Sequence, residues 1–171
     1  NLIDKEFSNM NELISLINSN PRVQKCMNVP LDIKQNERNY NAYEAIKDLN
    51  SYVYSNRFVK EIIIFFNNNM VITNEYKVDY DFYFEYFNQN GNEVKSLISS
   101  YNHRKLVFTK DEKNNSSRLY YVSSLPVGNR KVWNATVIIE VDMDVMVSFL
   151  KSNQFTDKTE TMLLDSEQTL I

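Results

Sequence analysis

One stretch, Leu119–Leu150, constrains the fold more than any other part of the chain. It opens with the strand-like run Leu119-Tyr120-Tyr121-Val122-Ser123-Ser124-Leu125, and a loop with Pro126, Gly128 and Asn129 follows. Trp133–Val141 is a second run, rich in β-branched residues. Two such runs joined by about seven residues read as antiparallel neighbours. Asp142-Met143-Asp144 then shifts the period from two towards that of a helix, with Val145, Met146, Phe149 and Leu150 on one side. A short side-chain oxygen at Asp142 or Asp144 can accept from a free N–H of the helix start.

Alternation assigns faces within this hairpin. Tyr121 and Ser123 share a side with Leu119 and Leu125, whereas Tyr120, Val122 and Ser124 share the other. In the second run, Trp133, Ala135, Val137, Ile139 and Val141 form the core face. Asn134, Thr136, Ile138 and Glu140 are expected on solvent or in a pocket.

Upstream, Ile3, Phe7, Met10, Ile14 and Ile17 recur at steps of four and three, an amphipathic helix that Leu13 and Leu16 widen. It ends near Ser19-Asn20, because Pro21 disfavours helical geometry before it. A short turn holds Val23, Cys26 and Met27. A second helix spans about Asn39–Asn56, with Ala42, Ile46, Leu49 and Val53 in a row and Tyr43 and Tyr52 beside it. Glu61–Phe66 is a buried strand by content, Asn67-Asn68-Asn69 a turn, and Met70–Thr73 the returning strand, since Asn tolerates left-handed backbone. Lys77–Phe87 is an aromatic patch, short helix or ordered loop, and Asn88–Gly91 a turn. Glu93–Tyr101 reads as a short helix, Lys105–Thr109 as a strand, Asp111–Ser117 as an exposed loop, and Glu160–Ile171 as a strand, a turn and a further strand start.

The whole is α+β, an antiparallel sheet of about five strands with a long N-terminal helix packed on it. It divides into a helical segment (1–58), a sheet subdomain (59–150) and the start of a second subdomain or a C-terminal strand (151–171).

The chain lacks the residue sets of common chemistries. It has no G-x-S-x-G, P-loop, G-x-G-x-x-G or H-E-x-x-H motif, and its two glycines argue against a phosphate-cradling loop. A single cysteine, Cys26, and a single histidine, His103, leave no disulfide framework. Asp79, Asp81 and Glu85 are carboxylates of the aromatic patch, read as caps or solvated groups, and Asp142 with Asp144 lacks the rest of a calcium loop. No catalytic residue, metal or cofactor is expected. A net charge of −3 without a basic stripe argues against nucleic acid. No apolar run approaches the roughly 20 residues that span a bilayer. The chain begins at Asn1 and ends inside a strand-like run, so it reads as cut from a longer protein or trimmed by disorder, with any membrane anchor expected outside it.

The order of elements resembles the membrane-distal half of a double Cache ectodomain. Cache domains are the PAS-like extracellular sensors of bacterial membrane receptors, among them AraC-family regulators and sensor histidine kinases. The matching pieces are the N-terminal helix, the Glu61–Thr73 hairpin, the Glu93–Tyr101 helix and the Leu119–Val141 hairpin. The run Leu164–Ile171 resembles the opening hairpin of the membrane-proximal half, with Glu167-Gln168 where relatives commonly carry Gly. The resemblance implies a non-catalytic sensor that binds a small molecule between the sheet and the crossing segment, here Lys77–Tyr101. Tyr80, Tyr83, Tyr101, Arg118, Tyr121, Ser123 and Asn134 would line that pocket, Arg118 gripping a carboxylate through paired N–H donors. Amino-acid-binding members carry an Arg and a Trp-Tyr pair. Arg118-Leu119-Tyr120-Tyr121 is only loosely similar and Trp133 is not followed by Tyr, so no amino-acid specificity carries over. A homodimer through the N-terminal helix would transmit the signal to a cytoplasmic output domain. The alternative is a protein-binding or dimerisation module without a small ligand.

Overall fold

The computed structural model describes residues 2–29, 34–87, 91–111, 116–129 and 131–152. The run expected over Glu160–Ile171 and the turn at 88–90 lie outside them.

Three helices lead into the sheet: α1 (Leu2–Ser19), α2 (Pro21–Met27) and α3 (Gln35–Ser55). Asn20 separates the first two. Its side chain accepts from Arg22 N at 2.8 Å and Val23 N at 3.1 Å, capping α2, while Pro21 at the first helical position loses no bond. The same Asn20 amide donates to Asp48 Oδ2 and to the Tyr52 hydroxyl, fixing α2 against α3.

Six strands follow: β1 (Val59–Phe66), β2 (Met70–Thr73), β3 (Lys77–Asp79), β4 (Lys105–Asp111), β5 (Ser116–Leu125) and β6 (Ala135–Val141). They form one antiparallel sheet in the order β3-β2-β1-β6-β5-β4. The two sequence-predicted hairpins thus join through β1 and β6. The sixth strand is β3, a short edge piece inside the aromatic patch that pairs with β2. Asn69, at φ 65°, makes the left-handed turn between β1 and β2. Helices α4 (Tyr80–Tyr86) and α5 (Gly91–Ile98) cross between β3 and β4, and α6 (Met143–Ser152) leaves β6.

Both faces of the sheet are covered. Ile62, Ile64, Phe66, Leu119, Tyr121, Leu125, Val137 and Ile139 meet Met10, Leu13, Ile14, Ile17 and Leu49 of α1 and α3. Ile63, Phe65, Tyr120, Val122 and Ile138 form a second core with Tyr83 of α4 and Val94 and Leu97 of α5. Two-sided burial is why Ile62–Phe66 reads as an unbroken apolar run rather than an alternating one. Each isoleucine that is fully buried contributes about 1.5–3 kcal/mol of hydrophobic stabilisation.

Several expectations are corrected. Leu16 does not widen the α1 stripe but is 53% exposed, and Tyr43 is 57% exposed, because each points off the face that meets the sheet. Thr136, Ile138 and Glu140 are buried beneath the second helical layer rather than open to solvent. The strand β6 starts at Ala135. Asn134 instead accepts from Asn67 N–H and donates to Leu125, closing a loop. Asp111 and Ser116 belong to paired strands, not an exposed loop, since hairpin pairing extends to them.

Candidate functional site

The outer face of the sheet, under α4, carries a polar row inside an apolar layer. Glu61 of β1 is directly opposite Glu140 of β6, which is opposite Tyr120 of β5. A β-bulge supplies the rest. Between the pairs Val59↔Val141 and Glu61↔Glu140, Lys60 is the extra residue, and the bulge turns it to the same side as Glu61. Lys60 Nζ then lies 2.8 Å from Glu140 Oε1, and Arg118 Nη1 lies 3.7 Å from Oε2. Each oxygen of this carboxylate, only 5% exposed, thus faces a cation. A buried charge requires such partners.

Glu61 is different. Among the described residues it has no hydrogen bond or ion pair. Burial first, then the charges of Glu140 and Glu75, push its carboxyl up to about 7, against weaker pulls from Lys60 and Arg118. Glu75 sits in the turn between β2 and β3. Thr73 builds that turn by accepting from Glu75 N and Tyr76 N. Burial and then the Glu61 charge push the Tyr76 hydroxyl up to about 12.

The lid over the row is α4. Asp79 caps it, accepting from Phe82 N at 2.9 Å, so the capping reading of this carboxylate holds. The cap sets Tyr83 edge-on against Phe65, ring centroids 5.1 Å apart, with Tyr80 at 5.7 Å and Phe84 at 5.9 Å on the same Phe65 ring. Tyr83 is 5% exposed. Burial, then the Glu61 charge, drives its hydroxyl well above the usual phenol range, and that hydroxyl has no hydrogen-bond partner among the described residues. Thr109 lies opposite Arg118 on β4, on the same face, and its Oγ1 is buried without a partner. Buried polar atoms without partners are uncommon and mark places where something else binds or strain is kept.

The seven sequence-predicted residues do not converge. Tyr83 and Arg118 meet in this cluster. Tyr80 stands in the first turn of α4, beside Phe84, in a groove that Lys95 and Ile98 of α5 also line. Tyr121 and Ser123 lie on the opposite face, and the Tyr121 hydroxyl donates to Asn11 Oδ1 of α1 at 2.6 Å. Tyr101 packs edge-on to Trp133 at 5.9 Å, and Asn134 donates to Asn28, both near the Ser124 end of β5. Six residues of strand put that end about 20 Å from Arg118. Glu61, Glu140, Lys60, Tyr76 and Tyr120 were missed. The signal for two of them was a lone glutamate in each of the apolar runs Glu61–Phe66 and Trp133–Val141.

Among the described residues no helix is long and apolar enough to cross a membrane, and no three metal-ligating side chains gather.

No protein-family profile matches the chain, and no curated protein matches it. Solved structures do. The extracellular domain of rpHK1S-Z16, described as a histidine kinase, superposes with a TM-score of 0.54 at 11% identity, over 99% of this chain and 61% of that one. The corresponding domain of vpHK1S-Z8 also gives 0.54, at 13% identity, over 86% of this chain and 56% of that one. The sensory domain of the Campylobacter jejuni chemoreceptor Tlp3 with isoleucine bound gives 0.47, a level that carries no inference. This chain therefore spans about three fifths of the length of the first two structures. The fold is the Cache/PAS-like one that these extracellular domains share, an antiparallel sheet with N-terminal helices on one face.

Proposed function

We propose that the chain is the ligand-sensing, non-catalytic part of the extracellular region of a bacterial transmembrane signalling protein. The observation that carries this reading is the polar row Glu61–Glu140–Tyr120 on the sheet face where Tyr83 of α4 packs in one cluster with Tyr120. The likeness to extracellular domains of histidine kinases supports it at the level of fold. A pocket of a few placed polar groups in an apolar layer is the usual form of a small-molecule site. Residues 151–171 would open a membrane-proximal subdomain, and anchoring segments would lie in other parts of the protein. The output would be a histidine kinase or an AraC-type transcription regulator. A ligand acts by binding one arrangement of α4 on the sheet better than another, and paired N-terminal helices would carry that bias inward.

A thermal-shift screen of the purified chain against amino acids, organic acids, sugars, amines and purines tests the reading. A ligand that binds only the folded state raises the midpoint. A hit lost in Tyr83→Phe places the ligand under α4. A library without hits, together with a concentration-dependent dimer in sedimentation, favours the alternative of a dimerisation module. The exposure of Leu16 beside Arg104 on the outer side of α1 is the observation behind that second reading.

A further inference from the structure

We infer that the groove between α1 and Arg104 binds a small monocarboxylate, its carboxylate on the Arg104 guanidinium and its carbon chain along Leu16. The site is separate from the row under α4, because α1 covers the opposite face of the sheet.

Three observations carry it. The first is a cation without an anion. Arg104, in the connection between α5 and β4, has one acceptor among the described residues, Ser15 Oγ at 2.9 Å from Nη2. Its Nε is buried with nothing to accept from it, and among the described residues it forms no ion pair. Ser15 Oγ itself donates to Asn11 O at 3.0 Å, so it meets the guanidinium with a neutral lone pair and no charge. Burial pushes the Tyr121 hydroxyl up and the Arg104 charge pulls it back, yet that hydroxyl donates to Asn11 and not to any anion for Arg104. A carboxylate supplies two charged acceptors to such a fork, and a buried donor without a partner marks a place where an ion fits.

The second is how the cation is held. Arg104 sits at φ 49°, a left-handed backbone that residues other than glycine rarely adopt. Such positions persist where their surroundings hold them, and they gather at binding sites. Here the Ser15 bond ties the guanidinium to the groove wall.

The third is the shape of the groove. It measures about 450 Å³, the size of a small-ligand site. Ser8, Glu12, Ser15 and Ser19 recur at steps of four, three and four along its α1 wall. Leu16 is the only exposed large apolar side chain of α1 among the described residues. It gives a surface for a short carbon chain, and too little for the apolar stripe by which two helices pair. Glu12 stands one turn before Leu16 in the same wall and forms no ion pair with Arg104. A second carboxylate at the far end of a ligand is repelled there, so the groove takes monocarboxylates and rejects dicarboxylates.

The experiment is an NMR titration of the chain with pentanoate, and with glutarate, pentylamine and chloride for comparison. The Arg104 Nε–H signal and the backbone amide signals of Ser15 and Leu16 are followed. Pentanoate should shift all three saturably, and the other three probes should not. Arg104→Gln abolishes the response, and Arg104→Lys, which keeps the charge but loses the fork, weakens it about tenfold. Glu12→Gln, by removing a like charge, brings glutarate to within about threefold of pentanoate. Each variant keeps the circular dichroism spectrum of the wild type. Pentanoate binding that Arg104→Gln leaves unchanged overturns the inference; if Tyr83→Phe removes that binding, the sensor reading stands and the carboxylate lies under α4. Glutarate binding as tight as pentanoate in the wild type overturns the class of ligand. Chloride shifting the same signals as far as pentanoate overturns it as a bare ionic contact. Ser15 and Leu16 signals that move with protein concentration instead of with pentanoate overturn it in favour of a second copy on this face. No shift at about 50 mM pentanoate, a Kd weaker than the millimolar range, overturns it as well and leaves the sensor reading untouched.

Discussion

Replacing Glu61 by Gln should make the protein more stable, by a margin that opens between about pH 4.5 and about pH 7 and is full above that. Gln is close in shape to a protonated carboxyl and cannot ionise. In the wild type the Glu61 carboxyl rises from its ordinary 4.5 to about 7 on folding. A folded value above the unfolded one gives stability that is complete below about pH 4.5 and is lost as pH rises through about 7. At about 1.4 kcal/mol per pH unit, the full loss is about 3 kcal/mol, reduced to about 2 kcal/mol because water reaches the half-buried group. Urea unfolding followed by circular dichroism at pH 5, 6, 7 and 8.5 measures it. The gap should be smallest at pH 5 and widen through pH 6 and 7. At pH 8.5 the variant midpoint should lie about 1 M higher, for a slope of about 2 kcal/mol per M. A gap that is constant with pH, or a variant less stable at pH 8.5, would refute the idea that Glu61 is held against Glu140 without a partner.

The remaining predictions concern the frame. Asn20→Ala removes the α2 cap and the bonds to Asp48 and Tyr52, and should lower stability by about 2 kcal/mol in the same unfolding assay. Tyr121→Phe leaves Asn11 unpaired on the helical face and should cost about 1 kcal/mol while ligand affinity, read by calorimetry, stays at the wild-type value. Leu49→Ala opens a void where α3 meets the sheet and should cost about 2–5 kcal/mol, visible as a lower melting temperature.

The elements with strong periodicity were legible. The step of three and four in Met10, Ile14 and Ile17 placed α1 against the sheet, and the β5–β6 hairpin and the Asp142 cap, which accepts from Val145 N at 3.0 Å, follow the residues. The site was legible only in part. Alternation along β5 separated Tyr120 from Tyr121, but nothing in the sequence says which face the crossing helices cover. Tyr121 and Ser123 were grouped with Arg118 for that reason, although adjacent positions on a strand point apart. The pairing of Glu61 with Glu140 spans 79 positions and depends on strand register, which a local pattern does not encode. The bulge at Lys60 is a further step away, since its residues carry no glycine or proline to announce it.

The backbone N–H of Asp142 donates to Phe58 at 2.8 Å, and the Arg57 guanidinium lies 4.5 Å from the rings of both Phe58 and Phe149. Chain entry into β1 and chain exit into α6 are therefore stapled at one corner of the sheet. The Glu61–Glu140 row is the next rung in from that corner. A pull on either glutamate has almost no backbone over which to dissipate before it reaches the staple. The corner thereby ties the first rung of the row to α6, the element through which the chain leaves β6.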